Sequence, residues 1–206
     1  MTTPHYWKVA TRELAKRDAV LKKLVTQFEG LALGSRGDAF QTLARAIVGQ
    51  QISVKAAQSV WNRFAAELQT VTPATVHGAD PQCLRACGLS NQKAGYLQDL
   101  AARFHSGALD ASQWQQFDDE ALIAELVQVR GIGRWTAEMF LIFHMTRPDV
   151  LPLDDIGLQR AMSLHYNKGK PLTRLKLRKI GDAWAPWRSV ATWYMWRSLD
   201  PVPVEY

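Results

Sequence analysis

The sequence predicts an all-α fold of about ten helices. Apolar residues recur at spacings of three and four along most of the chain, as they do on one face of an amphipathic helix. No apolar–polar alternation typical of a β-strand extends beyond a few residues. Apolar residues make up 47% of the 206 residues, which is enough for a packed core and argues against disorder.

The predicted helices begin and end at residues that favour those positions. The first apolar run ends at Gly30, and Thr173 is expected to cap a later helix. Pro73 and Pro81 are expected to break the chain, with Asp80 as a cap before Pro81. In chain order, the predicted helical segments are Leu14–Phe28, Phe40–Val48, Val54–Leu68, Leu84–Cys87, Asn91–Phe104, Asp118–Val129, Arg134–Met145, Thr173–Trp184 and Pro186–Leu199.

The helical pattern is interrupted after residue 145, where Pro148 and Pro152 lie. With this boundary at residues 147 and 148 and a second at residues 36 and 37, we expect three segments, residues 1–36, 37–147 and 148–206. We expect the first segment to form N-terminal helices that pack with the C-terminal lobe. The central lobe ends, within residues 118–145, in two helices joined by a very short turn.

The composition excludes several classes of protein. The 25 Lys and Arg residues outnumber the 19 Asp and Glu residues, and the net charge of +6 is a weak indication of a polyanionic partner. The N-terminus has no apolar segment of signal-peptide length, and Met139–Met145 is too short to span a membrane. We therefore expect a cytoplasmic protein with no membrane partner.

The two cysteines, Cys83 and Cys87, are expected to be small buried side chains in a reducing compartment. Four residues apart on a helix, they suit neither a structural disulfide nor a complete metal site. Their number also excludes a four-cysteine iron–sulfur cluster within this chain.

A glycine-containing turn, Val129-Arg130-Gly131-Ile132-Gly133-Arg134, joins the two helices at the end of the central lobe. Glycines allow a tight turn and a close approach of the backbone to a ligand. The amides from Gly131 to Arg134 would lie at a helix N-terminus, where anions are favoured. An ordinary helix–helix turn is the alternative, but the two flanking arginines favour a phosphate-binding hairpin.

A pair of carboxylates, Asp154 and Asp155, follows Pro152 just before a helix that begins near Ile156. One interpretation is that both acids only cap this helix. The other is that one of them is a reactive acid beside the phosphate-binding turn.

These two segments, Val129–Ala137 and Leu151–Gly157, together resemble the helix–hairpin–helix and Gly/Pro-Asp signature of the HhH-GPD DNA glycosylase superfamily. Further segments that resemble it are Ala46–Ala57, Gly88–Leu97 and Trp184–Trp196. The resemblance extends over about residues 36–200, and the branch it resembles most is bacterial DNA-3-methyladenine glycosylase II. The chain is expected to be a short form without the N-terminal α/β domain of longer members.

The resemblance implies two helical lobes with the active site in the cleft between them, and a catalytic aspartate at Asp155 in the C-terminal lobe. An ionised carboxylate there would stabilise the positive charge that develops on the sugar. Trp135 stands where members that also cut the DNA backbone have a lysine. Because tryptophan cannot form a Schiff base, we expect a monofunctional hydrolase without β-lyase activity, unless Lys93 or Lys168 supplies the amine.

The resemblance also assigns a base pocket. Trp135 and Trp196 match the pocket tryptophans, whose faces would attract a cationic alkylated base, whereas Trp61, Trp114 and Trp184 are expected in the core. Met139 and Ile156 replace pocket tyrosines and leave the range of accepted lesions open.

The residues expected to contact DNA lie in three places. Gln50 and Gln51 match the position where the superfamily inserts a wedge residue, meaning a side chain that fills the gap left by a flipped nucleotide; a solvent-facing glutamine pair is the alternative. The expected phosphate-binding residues are Gly131, Gly133, Arg134, Thr136, Arg188 and Ser189.

The expected activity is hydrolysis of the N-glycosidic bond of alkylated purines, 3-methyladenine and 7-methylguanine, in base excision repair. The expected partner is double-stranded DNA with damaged bases, bound by a monomer in the bacterial nucleoid. No cofactor is required, but the resemblance implies a structural Na⁺ or K⁺ held by the backbone carbonyls of Val127, Val129 and Gly131. Two alternatives remain: a glycosylase for oxidised or deaminated bases, and a non-catalytic helix–hairpin–helix DNA-binding module.

Overall fold

The computed structural model describes residues 3–35 and 37–199, which form twelve α-helices, a single 3₁₀ turn at Trp114–Gln116 and no β-strand. In chain order the helices are α1 (Trp7–Arg17), α2 (Ala19–Gln27), α3 (Ala39–Gly49), α4 (Val54–Leu68), α5 (Pro73–Gly78), α6 (Pro81–Ala86), α7 (Asn91–His105), α8 (Asp119–Leu126), α9 (Arg134–Phe143), α10 (Ile156–Tyr166), α11 (Arg174–Asp182) and α12 (Arg188–Leu199). The all-α prediction is confirmed. Among these residues no helix is both long and apolar enough to cross a membrane.

Short polar side chains fix the start of most helices. The caps predicted at Asp80 and Thr173 are confirmed: their side chains accept hydrogen bonds from the Gln82 and Lys176 amides. The other helix-capping side chains belong to Asp18, Asp38, Ser53, Thr72, Ser90, Asp118 and Asp155. Because capping depends on neighbouring residues alone, these helix starts are encoded locally.

Two predictions about helix breaks were wrong. The apolar run that ends at Gly30 is two helices, because the extended backbone of Asp18 separates α1 from α2 and its side chain caps α2. Pro73 and Pro81 each open a short helix, α5 and α6. Proline suits the first helical position, since the amide it lacks would have no partner there.

Several predicted ends also differ from the structure. Helix α8 ends at Leu126, three residues before its predicted end, and the amides of Val127 and Val129 bond to Ile123 and Leu126 in a turn. Helix α9 ends at Phe143, before Thr146 adopts a left-handed backbone with φ of 51°. Cys87 is buried as predicted, whereas Cys83 is exposed.

The described residues form two compact units. Residues 37–140 form the first, named here the hairpin unit, and residues 3–35 and 141–199 form the second, the acid unit. The N-terminal helices thus belong to the same unit as the C-terminal ones. The division falls within α9, ahead of the boundary predicted at residues 147 and 148. The sequence does not indicate this position, because α9 is continuous and carries no local break signal there.

The core of the hairpin unit is a chain of aromatic rings. Phe40, Phe104, Trp114 and Phe140 pack edge to face, with successive centroids 5.4, 5.7 and 5.5 Å apart. Trp114 is fully buried, and its Nε1 donates to Glu125 Oε1 at 2.8 Å. Each such ring pair contributes about 0.5–1.5 kcal/mol beyond the apolar area it buries.

The acid unit is built around α12, which is buried on almost every side from Ser189 to Met195. Trp193 lies edge-on to Trp7 of α1, with centroids 5.2 Å apart. Trp184 is fully buried, which, with the buried Trp61 and Trp114, confirms the core assignment of these tryptophans. Trp196 lies near the C-terminal end of this buried helix.

Candidate active site and DNA-binding hairpin

Asp155 is the N-cap of α10 and is buried, with 9% of its surface exposed. Its Oδ1 accepts two hydrogen bonds, from the Leu158 amide at 2.6 Å and from Trp196 Nε1 at 2.7 Å. The amide of Asp155 donates to Pro152 O at 3.0 Å, which fixes the preceding loop. These two donors at the α10 N-terminus fix the orientation of the Asp155 carboxylate.

Asp154, the other acid of the pair, has a different environment. Its side chain is 57% exposed and forms an ion pair with Arg174 at the start of α11. The capping interpretation is therefore right for Asp155 and wrong for Asp154. Capping does not exclude a reactive role for Asp155, because the hydrogen bond that caps α10 also orients its carboxylate.

Trp196 has two contacts that the sequence did not reveal. Its ring stacks on Phe143 with centroids 5.5 Å apart and planes inclined by 14°, and its Nε1 holds Asp155. Gly157 makes room for this pair: a Cβ at Gly157 would lie 3.1 Å from Asp155 Oδ1 and 3.3 Å from Trp196 Cδ1. Ile156, predicted in the pocket, is 79% exposed.

The loop before Asp155 is held by the start of α12. Arg188 forms a two-pronged ion pair with Asp149, at 2.7 and 2.8 Å. Ser189 is completely buried; its Oγ accepts from the Val150 amide and its own amide donates to Pro148 O. The phosphate-binding prediction is therefore wrong for Ser189, and Arg188 is engaged in fixing the loop.

The glycine-containing turn, residues 129–133 and named here the hairpin, has the expected backbone. Gly131 has a φ of 87°, a left-handed conformation, and a Cβ there would lie 2.1–2.5 Å from three ring atoms of Tyr96. Ile132 is buried and its amide closes the turn on Val129 O at 3.0 Å. Gly133 is exposed, and a Cβ there would meet nothing within 4 Å.

The side chains of Arg134 and Thr136 do not fit the predicted phosphate contacts. The Arg134 guanidinium bonds to both oxygens of Glu120 and, at 3.0 Å, to Glu138, and these carboxylates raise the pKa of Arg134 above its usual value. Thr136 is buried. What remains for an anion is the backbone at the start of α9, whose first amides have no partner within the helix.

The two predicted wedge residues, in the turn between α3 and α4, have different environments. Gln50 is half-buried and its Nε2 donates to Gly131 O at 2.8 Å. Gln51 is exposed and has a left-handed backbone with φ of 58°. The side chain of Gln50 is thus engaged with the hairpin, whereas Gln51 is exposed to solvent, and the wedge role stays a prediction.

Trp135 and Met139, one turn apart on α9, contribute unequally to the surface. Trp135 is 38% exposed, the most exposed tryptophan of the described residues, whereas Met139 is 6% exposed. Trp135 is therefore partly accessible to solvent, whereas Met139 is buried.

The predicted cation site fits the hairpin only in part. One of the two lone-pair positions of the Gly131 carbonyl is taken by Gln50, and the Val129 carbonyl accepts from the Ile132 amide. Among residues 3–35 and 37–199, no group of three or more His, Cys, Asp or Glu side chains is arranged to hold a metal ion.

With this geometry in place, comparison with known proteins identifies the family. The sequence matches the HhH-GPD superfamily base excision DNA repair protein family over residues 44–186. The chain belongs to this superfamily. The matched range contains both the hairpin and Asp155, while Trp196 lies beyond its end.

Relatives within the superfamily have the same fold. The chain is 34% identical over 182 residues to DNA-3-methyladenine glycosylase 1 of Schizosaccharomyces pombe, and the match covers 86% of this chain and 80% of that protein. The structure of a 3-methyladenine DNA glycosylase from the same organism in complex with abasic DNA has a TM-score of 0.81 at 31% identity, covering 92% of this chain and 95% of that one. For a DNA-3-methyladenine glycosidase from Bacillus halodurans, the TM-score is 0.86 at 30% identity, with 93% and 89% covered.

Sequence reasoning alone missed three contributors to these HhH-GPD sites. Gly157 belongs to the recognised motif, but the space it leaves for Trp196 is a tertiary property. Phe143 is an aromatic residue at the end of an apolar run, and nothing in the sequence indicates that it stacks on Trp196. Lys93 lies in a segment that resembles the superfamily, yet its bonds to Val48 O and Gln50 O, both at 2.7 Å, have no signature in sequence.

Proposed function

We propose that the protein is a monofunctional DNA glycosylase that hydrolyses the N-glycosidic bond of alkylated purines, 3-methyladenine and 7-methylguanine, in double-stranded DNA. The observation that carries the proposal is the buried Asp155, held by Trp196 Nε1 and the α10 N-terminus in an HhH-GPD chain. The names of the relatives, DNA-3-methyladenine glycosylases from fungi and bacteria, support the substrate class.

The chemistry requires one bond to break and one to form. The C1′–N bond of the alkylated purine breaks, and the electron pair leaves with the cationic base, which departs neutral. A water oxygen then bonds to C1′ and its proton passes to solvent or to a carboxylate. Asp155 would stabilise the positive charge on the sugar ring and orient the water.

Two residues support hydrolysis without strand cleavage. Trp135 stands where a lyase would carry an amine nucleophile. Burial lowers the pKa of Lys93, but its Nζ already donates hydrogen bonds to two carbonyls at the end of α3, so it is not free to attack a sugar. We therefore propose that the product is an abasic site in an uncut strand.

DNA binding is assigned to the hairpin unit. The α9 amides would hold a phosphate, Gln51 would fill the gap left by the flipped nucleotide, and the exposed Trp135 would offer its face to the cationic base. The proposed form is a monomer acting on nucleoid DNA in the cytoplasm. A monovalent cation at the backbone carbonyls of Val127, Val129 and Gly131 stays a prediction.

A panel of lesions tests the proposal. Duplexes with methylated, oxidised or deaminated purines are incubated with the protein, and the freed bases are separated and quantified. We expect release of 3-methyladenine and 7-methylguanine. Release confined to oxidised or deaminated bases would replace the substrate class, and DNA binding without any release would indicate a non-catalytic binding module.

Gly157→Ala is expected to slow base release without destabilising the fold. Alanine is a better helix former than glycine, so the free energy of unfolding should change by less than about 1 kcal/mol. The new Cβ must displace the Asp155 carboxylate or the Trp196 indole by a few tenths of an ångström, and we expect release to slow about tenfold.

The measurements are thermal unfolding and single-turnover release from methylated duplex DNA. Gly95→Ala is the matched control, because a Cβ on Gly95 of α7 meets nothing within 4 Å. Equal release rates for the two variants would show that the packing around Asp155 is not critical.

A further inference from the structure

One helix, α7, contacts both of the loops that the proposed function assigns to DNA. Lys93, Tyr96 and Asp99 follow one another at three-residue intervals along this helix. Lys93 bonds to the end of α3 and to the turn after it, while Tyr96 and Asp99 contact the hairpin. The wedge turn, residues 50–53, and the hairpin are therefore both in contact with the same helix, α7.

Lys93 fixes the base of the wedge turn. Its Nζ donates to Val48 O and to Gln50 O, both at 2.7 Å. Carbonyls at a helix C-terminus lack partners within the helix and carry partial negative charge, so a cation there satisfies and stabilises them. The half-buried Lys93 thus fixes the backbone immediately before Gln51.

Gln50 ties the same turn directly to the hairpin. Its side-chain amide donates to Gly131 O at 2.8 Å. The hairpin is in turn held on α7, because the Arg130 amide donates to Asp99 Oδ2 at 2.9 Å and the ring of Tyr96 occupies the space beside Gly131. These contacts leave the two loops little freedom to move relative to each other within the hairpin unit.

Gln51 lies in the wedge turn that Lys93 and Gln50 hold in place. It is exposed and keeps a left-handed backbone, with φ of 58°, a conformation that a residue other than glycine adopts only when its surroundings hold it there. We infer that Lys93 and Gln50 are positioning residues that hold Gln51 at a fixed place relative to the phosphate-binding hairpin. They thereby couple phosphate binding to wedge insertion; this inference rests on the proposed function and adds residues to it.

The test compares the same lesion in two duplexes, one in which base flipping needs the wedge residue and one in which it does not. One duplex carries a single 7-methylguanine paired with cytosine, and the other carries it inside an unpaired bubble, where little stacking opposes flipping. Lys93→Met and Gln50→Met keep side-chain length and remove the donors. We expect single-turnover release about tenfold slower from the paired duplex and within about twofold of wild type from the bubble.

Three controls make the test specific. Lys23→Met removes an exposed positive charge on α2 and should change neither rate. Lys93→Arg keeps two donors and should recover most of the paired-duplex rate. Urea unfolding of each variant identifies conditions under which all of them are folded.

Equal losses on both duplexes, or no loss on either, would overturn the positioning role. If wild type released no base from either duplex, the proposed function would fail instead. Insertion would then be followed by the fluorescence of 2-aminopurine beside an abasic site. A rise with wild type but not with Lys93→Met supports positioning, and equal rises overturn it.

Discussion

Asp155→Asn is expected to slow base release by about 100- to 1,000-fold while the protein stays folded and binds DNA. Asparagine keeps the oxygen that accepts from the Leu158 amide and Trp196 Nε1, and it caps helices about as well as aspartate. What it lacks is the negative charge that opposes the charge on the sugar. Single-turnover release, DNA affinity and thermal unfolding separate these properties.

Asp154→Asn is the matched control for this variant. Asp154 is the neighbouring acid, its side chain is exposed, and its partner Arg174 is exposed as well. Exposed ion pairs contribute little, so release should stay within about threefold of wild type. If the Asp155 variant released methylated purines at the wild-type rate, Asp155 would not be the catalytic acid.

Gly131→Ala is expected to lower the free energy of unfolding by about 2–5 kcal/mol and to weaken DNA binding with it. The left-handed φ of 87° is costly for any residue with a Cβ. A Cβ would also lie 2.1 Å from Tyr96 Cδ2, so the ring or the hairpin must move. Urea denaturation measures the first effect, and titration of an abasic duplex measures the second.

Gly133→Ala separates stability from phosphate binding. A Cβ on Gly133 meets nothing within 4 Å, so the urea midpoint should remain close to that of wild type. Because Gly133 is exposed at the start of α9, the added methyl group should still hinder close approach of a phosphate and weaken DNA binding. An unchanged midpoint for Gly131→Ala would contradict the hairpin geometry described above.

The sequence predicts those parts of the fold that depend on neighbouring residues. Caps such as Asp80 and Thr173 act on amides two or three residues away, and both lie at the residues where the sequence predicts them. The break at Asp18 was missed because α1 and α2 continue one apolar pattern across it. The short helices at Pro73 and Pro81 were missed because proline also ends helices, and the sequence does not say which role applies.

The same distinction applies to the candidate site. The spacing of Gly131 and Gly133 is local, so the hairpin could be predicted. The bond from Trp196 to Asp155 joins residues far apart in sequence, as does the bond from Gln50 to Gly131. No periodicity or motif reports such pairs.

The wrong phosphate contacts have the same physical origin. Arg134 and Ser189 are residue types that often bind phosphate, which the sequence shows. Their actual partners, two carboxylates for Arg134 and the Val150 amide for Ser189, appear only after folding. Once a guanidinium is paired or a hydroxyl is buried, its residue type no longer predicts its role.

The most direct test of the central claim is the yield of free base and of abasic sites from one methylated duplex, before and after alkali. We expect 3-methyladenine and 7-methylguanine to appear in amounts equal to the abasic sites, with strands that break only after alkali. Strand breaks without alkali, or intact methylated bases after prolonged incubation with excess folded protein, would contradict it.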